Sequence, residues 1–217
     1  MNNFLILSSF LWAGLFTFLL TRYLTQNTLG AVFSGIVYAF CPYHFARAWQ
    51  HLGLAEIQWM PLYLFALFKL KDEQKLKNAI LVALAFFLFS ENYTYVYFMA
   101  IATIVFALLV FLKIPPKQKG RFFKFLLLSA FFTFLVTLPS TYLVYKNYFL
   151  GPPKEAMALY HRPFENLFAQ SARPLSYFLP STFHPLFGGI AQMFIGSGYY
   201  GKNFTEHSLY LAGNFWF

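Results

Sequence analysis

The chain has 217 residues, of which 59% are hydrophobic, 23% aromatic and only 11% charged, well below the roughly 25% charged residues of soluble domains. Its 31 Phe and 15 Tyr exceed what one soluble core of this length would bury, whereas lipid accepts apolar side chains on the outside of every helix. The formal charge of +9 does not point to nucleic acid, because most of the basic residues gather in two short loops between apolar segments, which is a membrane-topology signal.

Residues 4–21 are uncharged and predict a first span. No basic region precedes it and Arg22 follows it, so it reads as a retained crossing and not as a signal peptide. Residues 29–43 predict a shorter span that ends at Cys41-Pro42, where proline disfavours helical geometry at the residue before it. A short helix over 44–52 follows, and 54–70 predicts a third crossing with Glu56, Gln58 and Pro61 near its start.

Lys69, Lys71, Lys75 and Lys77 surround the next connection, and Lys113, Lys117, Lys119, Arg121 and Lys124 the one after it; both are expected in the cytoplasm. Residues 79–112 between them are too long for one crossing and predict a helical hairpin with its tip near Ser90-Glu91-Asn92-Tyr93. Residues 122–145 then cross outward, and 146–210, rich in proline and glycine, predict a large loop on the outer membrane surface. Residues 211–217 begin a further apolar run, so a truncated span is expected there. By the same alternation an earlier span is expected before Met1. The expected fold is all-α: a polytopic transmembrane helical bundle with a large extracytoplasmic loop, multi-pass in the inner (cytoplasmic) membrane.

The chemistry concentrates after the proline break. His44, Arg47 and His51 fall at i, i+3 and i+7, and Phe45, Trp49 and Leu52 at i, i+4 and i+7. That pattern predicts an amphipathic interfacial helix with its apolar side in lipid and a row of donors suited to an anionic headgroup. An interfacial helix with no ligand explains the pattern too. His44 and His51 lie roughly 10 Å apart along the axis, too far to share a metal ion. Glu56 and Glu91 sit near predicted membrane ends, where an ionisable group is costly without a cavity or a partner; Glu56 is placed to pair with Arg47 or orient a histidine. In the outer loop Arg173, His184, Glu206 and His207 are the candidates to reach inward. Cys41 is the only cysteine and reads as a packing residue. No cofactor motif is present.

Three segments together resemble the integral-membrane glycosyltransferases of the GT-C superfamily, in particular uncharacterised bacterial members. They are Gly30 to Gly35 through Phe40-Cys41-Pro42-Tyr43, His51-Leu52 and Gln58 to Leu62; the short hairpin around Ser90 to Tyr97; and Ser171-Ala172 through Tyr177, Pro180-Ser181, His184-Pro185-Leu186 and Glu206 to Tyr210. The resemblance implies transfer of a sugar from a polyprenyl-phosphate donor to an acceptor on the outer face of the membrane, with membrane lipid and the polyprenyl-phosphate-linked sugar as partners. On it, His44, Arg47 and His51 hold the donor phosphate and Glu56 orients them. It further implies an acidic residue in a first outer loop as base or metal ligand, and so allows a divalent metal in the full-length protein. The only aspartate, Asp72, falls in a cytoplasmic loop, so a catalytic loop before Met1 is expected. Two other functions remain open: a transporter or flippase for lipid-linked sugars, and a non-catalytic membrane subunit.

Overall fold

A computed structural model describes residues 2–50, 52–150, 164 and 188–195. The described residues are mostly helical, without a strand: α1 (Asn2–Thr25), α2 (Thr28–Ala39), α3 (Pro42–Gln50), α4 (Leu52–Ala55), α5 (Trp59–Asp72), α6 (Leu76–Phe89), α7 (Tyr93–Lys113), α8 (Pro116–Phe149) and α9 (Gly188–Ile195). The chain divides into two compact units, Met1–Leu150 and Gly151–Phe217. Helices α1 to α8 make up the first, and α9 belongs to the second.

Segments of α1, α7 and α8 are long and apolar enough to cross a membrane, and only 17%, 11% and 11% of their most apolar windows is buried within the protein. So much uncovered apolar surface would be prohibitive in water and is ordinary in lipid. The chain is an all-α membrane protein.

Helices α1 and α2 run antiparallel about a two-residue turn. Asn27 caps α2 by accepting from the Gly30 amide at 3.0 Å, as an N-cap asparagine should. Small residues recur every fourth position on α2, and Ala31, Gly35 and Ala39 are its buried face. A Cβ on Gly35 would stand 2.7 Å from the Gly14 carbonyl oxygen of α1, so only glycine fits there. Lipid tails are as apolar as the helices, so association depends on such close backbone approach.

Helix α5 lies beside α1 with the same sense, Phe16 meeting Trp59 and Tyr23 meeting Phe65. Helix α6 beds between α5 and α8, and Tyr63, Ala66, Leu67 and Leu70 of α5 meet Ala79, Val82, Ala85 and Phe89 of α6 in the core. Helix α7 touches α5 through Tyr63 and Thr103, whose hydroxyls are 2.7 Å apart, and through an edge contact of Phe68 with Phe106.

Two expected crossings are shorter than the sequence suggests. Helix α2 has 12 residues and α5 has 14, giving roughly 18 and 21 Å at ~1.5 Å per residue, against a hydrocarbon core of ~30 Å. Prolines are the cause. Pro42 restricts Cys41 and stops α2. Pro61 is tolerated in the first turn of α5, but its ring excludes a helix entering from Ile57. The stretch 79–112 breaks at residues 90–92, between α6 and α7, although α6 packs on α5 and α8 more than on α7. Helix α8 starts at Pro116, earlier than expected, and runs 34 residues through Pro139. At roughly 50 Å it exceeds the bilayer core. Of the predicted outer loop 146–210, the structure describes only 146–150, 164 and 188–195; the remainder and 211–217 lie outside the described residues.

Candidate functional site at the broken-helix end

Among the described residues, the run from α2 to α5 is interrupted at Phe40–Cys41 and at Glu56–Gln58. Each interruption leaves backbone carbonyls without helical partners, which in lipid costs several kcal/mol unless protein supplies donors. The bundle supplies them. Pro61 cannot donate to the Ile57 carbonyl four residues before it, and the Tyr38 hydroxyl of α2 donates there at 2.9 Å. The Leu54 carbonyl accepts from the Tyr95 hydroxyl and the Gly53 carbonyl from the Asn92 side-chain amide at 2.9 Å, while the Ile57 amide donates to Ala55 at 2.8 Å. Tyr43 and Tyr95 hydroxyls lie 3.2 Å apart, linking α3 to α7. The turn between α6 and α7 is therefore fastened to α4.

His44 is fully buried. Its Nδ1–H donates to the Ala39 carbonyl at 2.7 Å, its Nε2 lies 2.9 Å from Ser9 Oγ, and its ring stacks on Phe10 with centroids 3.9 Å apart. Both ring nitrogens are taken inside the protein. The expected row of donors is thus divided: His44 fastens α3 to α1 and has nothing left for a headgroup. The contact falls at Ser9, seven residues into α1, so α3 meets α1 roughly 10 Å inside its end.

Arg47 is half-buried, its guanidinium 5.4 Å from the centre of the Tyr43 ring, a cation–π distance. Glu56 is exposed between α4 and α5, next to buried Ile57 and Gln58, and Glu91 is exposed on the α6–α7 turn. Gln58 Oε1 is buried without a hydrogen-bond partner among the described residues, so a polar group of a ligand or a water would satisfy it. The structure therefore gathers Arg47, Glu56 and Glu91 at one end of the first unit. His51, Arg173, His184, Glu206 and His207 lie outside the described residues. Among the described residues no three His, Cys, Asp or Glu side chains could together hold a metal ion.

The sequence does not single out Tyr38, and it marks Gln58, Asn92 and Tyr95 only by place, near the start of a span and at the hairpin tip, without their hydrogen-bonding roles. For Tyr38 the usable signal was Pro61, which withholds the usual donor from the Ile57 carbonyl, so that it takes the Tyr38 hydroxyl beside the Met60 amide; no proline spacing points to Tyr95 or Asn92.

The opposite end is basic. Arg121 donates to the Gln74 carbonyl at 3.2 Å, which joins the two lysine-rich loops, and Tyr23 at the end of α1 donates to Asp72 at 2.7 Å. Buried Asn78 finishes α5 by donating to the Lys69 and Glu73 carbonyls at 3.2 and 2.6 Å. The hydrogen bond and charge of Lys75, with Lys77 adding to them, hold the Glu73 carboxyl below its ordinary range.

No protein-family model matches the sequence, and comparison with curated proteins and with solved structures finds no match either.

Proposed function

We propose that the broken-helix end binds the phosphate of a polyprenyl-linked sugar and that the chain belongs to a membrane glycosyltransferase of the GT-C type, acting at the outer face of the cytoplasmic membrane. The observation that carries this reading is the position of Arg47. It stands on a short helix at the end opposite the basic loops, against Tyr43, with Glu56 and Glu91 at the same end. A guanidinium offers a planar fork to a phosphate, and the carboxylates are the acidic groups available near an acceptor hydroxyl. The sequence resemblance supplies the sugar and the direction of transfer. His44 contributes by fixing α3.

A second reading has one observation in its favour. Helices interrupted inside the protein are also how transporters build substrate sites, so a flippase for the same lipid would use Arg47 without needing a carboxylate.

Binding of polyprenyl phosphate to the protein in nanodiscs tests the phosphate role. Arg47→Ala is expected to weaken binding roughly tenfold or more, since a charge-assisted hydrogen bond contributes ~1.5–3 kcal/mol. Arg47→Lys should restore part of the loss and Trp49→Phe should cost little. Equal affinity of wild type and folded Arg47→Ala would overturn the assignment. With a sugar-charged donor, Glu56→Gln or Glu91→Gln that keeps binding but loses sugar release separates the transferase from the flippase.

A further inference from the structure

Ten of the sixteen Lys and Arg residues, but only two of the seven acids, fall at position 22, within 69–77 or within 113–124, so the basic end carries eight of the nine formal net positive charges. Both carboxylates there are already engaged: Asp72 with Lys71 and Glu73 with Lys75, each at 2.9 Å. The charge is also held in place. Arg121 fastens the start of α8 to the α5–α6 turn, Lys69 Nζ lies 5.4 Å from the centre of the Phe65 ring, and Lys119 Nζ lies 4.6 Å from that of Phe111. These rings belong to the apolar helices, so the ammonium groups stand where an apolar flank gives way to headgroups.

Orientation in the membrane requires basic residues near the spans in sequence; it does not require them to be gathered from separate loops. Nor do they serve the helix they occupy, because positive side chains in the first turns of α8 oppose its dipole. We propose that the basic end is a seat for anionic phospholipid headgroups, with Lys117, Lys119 and Arg121 of α8, beside the turn that Arg121 contacts, as its main contacts. The occupant is a lipid, because the same cations rest on rings of helices whose outer faces lipid covers.

Native mass spectrometry of lipid retained on the protein, after release from nanodiscs of phosphatidylcholine mixed with phosphatidylglycerol, tests this. Wild-type protein should retain phosphatidylglycerol several-fold above its share of the mixture, and the enrichment should fall as salt is raised. Each basic group at an anionic surface contributes roughly fivefold, so Lys117→Gln/Lys119→Gln/Arg121→Gln should bring the ratio close to the bulk share. Lys146→Gln, near the other end of α8, should leave it unchanged. Equal retention of the two lipids by wild type, enrichment indifferent to salt, or abolition by inorganic phosphate where chloride at equal ionic strength has no effect would each overturn the proposal. Should the triple variant fail to insert, the wild-type ratio and its salt dependence decide the matter.

Discussion

The two ends of the first unit are both polar, yet they spend their polar groups differently. At the broken-helix end, Tyr38, Asn92, Tyr95 and His44 are consumed by backbone carbonyls. At the basic end helices finish normally, one asparagine closes α5, and most of the charge faces outward. In lipid an interrupted helix has to be satisfied by neighbouring side chains, whereas a charged loop is left to water and headgroups. Stability at the first end should therefore be indifferent to salt, and stability at the second should respond to salt and pH.

Four substitutions probe this contrast, each read as a change in unfolding free energy in mixed micelles. Gly35→Leu should have the largest effect, because the obstacle is the Gly14 backbone at 2.7 Å. Overpacking typically costs 1–3 kcal/mol, and about 3 kcal/mol is expected where backbone must move; a change under about 1 kcal/mol would mean that α1 and α2 are not in contact. Next, His44→Leu keeps the volume but strands the Ala39 carbonyl, while the Ser9 hydroxyl keeps its bond to the Ile6 carbonyl, with a loss of about 2 kcal/mol, equal at low and high salt. A loss that shrinks with added salt would mean that His44 acts as a charge. Tyr95→Phe removes the donor to Leu54 and should cost about 1 kcal/mol, while exposing the α6–α7 turn to faster amide exchange; unchanged exchange at residues 90–92 would break the link between that turn and α4.

Glu73→Gln is the smallest. The Glu73 carboxyl is held below its ordinary range, so its contribution is present at neutral pH and disappears as pH falls through that depressed value. The group is exposed and screened, and the variant should show a slightly flatter acid limb of the stability profile. An identical acid limb in high salt and low salt would contradict the assigned cause.

The helical class and lipid solvent were legible because they depend on composition and on long uncharged runs such as 4–21. The break at residues 90–92 was legible from the length of the apolar stretch. The lengths of α2 and α5 were not, since hydropathy counts Leu54 and Ile57 as membrane residues whatever their backbone does, and the effect of Pro61 upstream is invisible to a window average. The inward packing of His44 was not legible for a related reason. Helical spacing puts it in line with Arg47, but which of the two turns inward depends on α1, thirty-five positions away from His44 at Ser9. The four-residue spacing of Ala31, Gly35 and Ala39 is a signal that hydropathy alone passes over, and it does not say which helix packs there.

The basic end and the broken-helix end should lie on opposite faces of one membrane. Single cysteines introduced in a Cys41→Ala background at Gln118 and at Gly53, labelled in sealed vesicles of known orientation with a membrane-impermeant maleimide, test it directly. Position 53 should label from one face that spares position 118, and position 118 should then react only once the vesicles are opened. Labelling of both positions from the same side of a sealed membrane would contradict it.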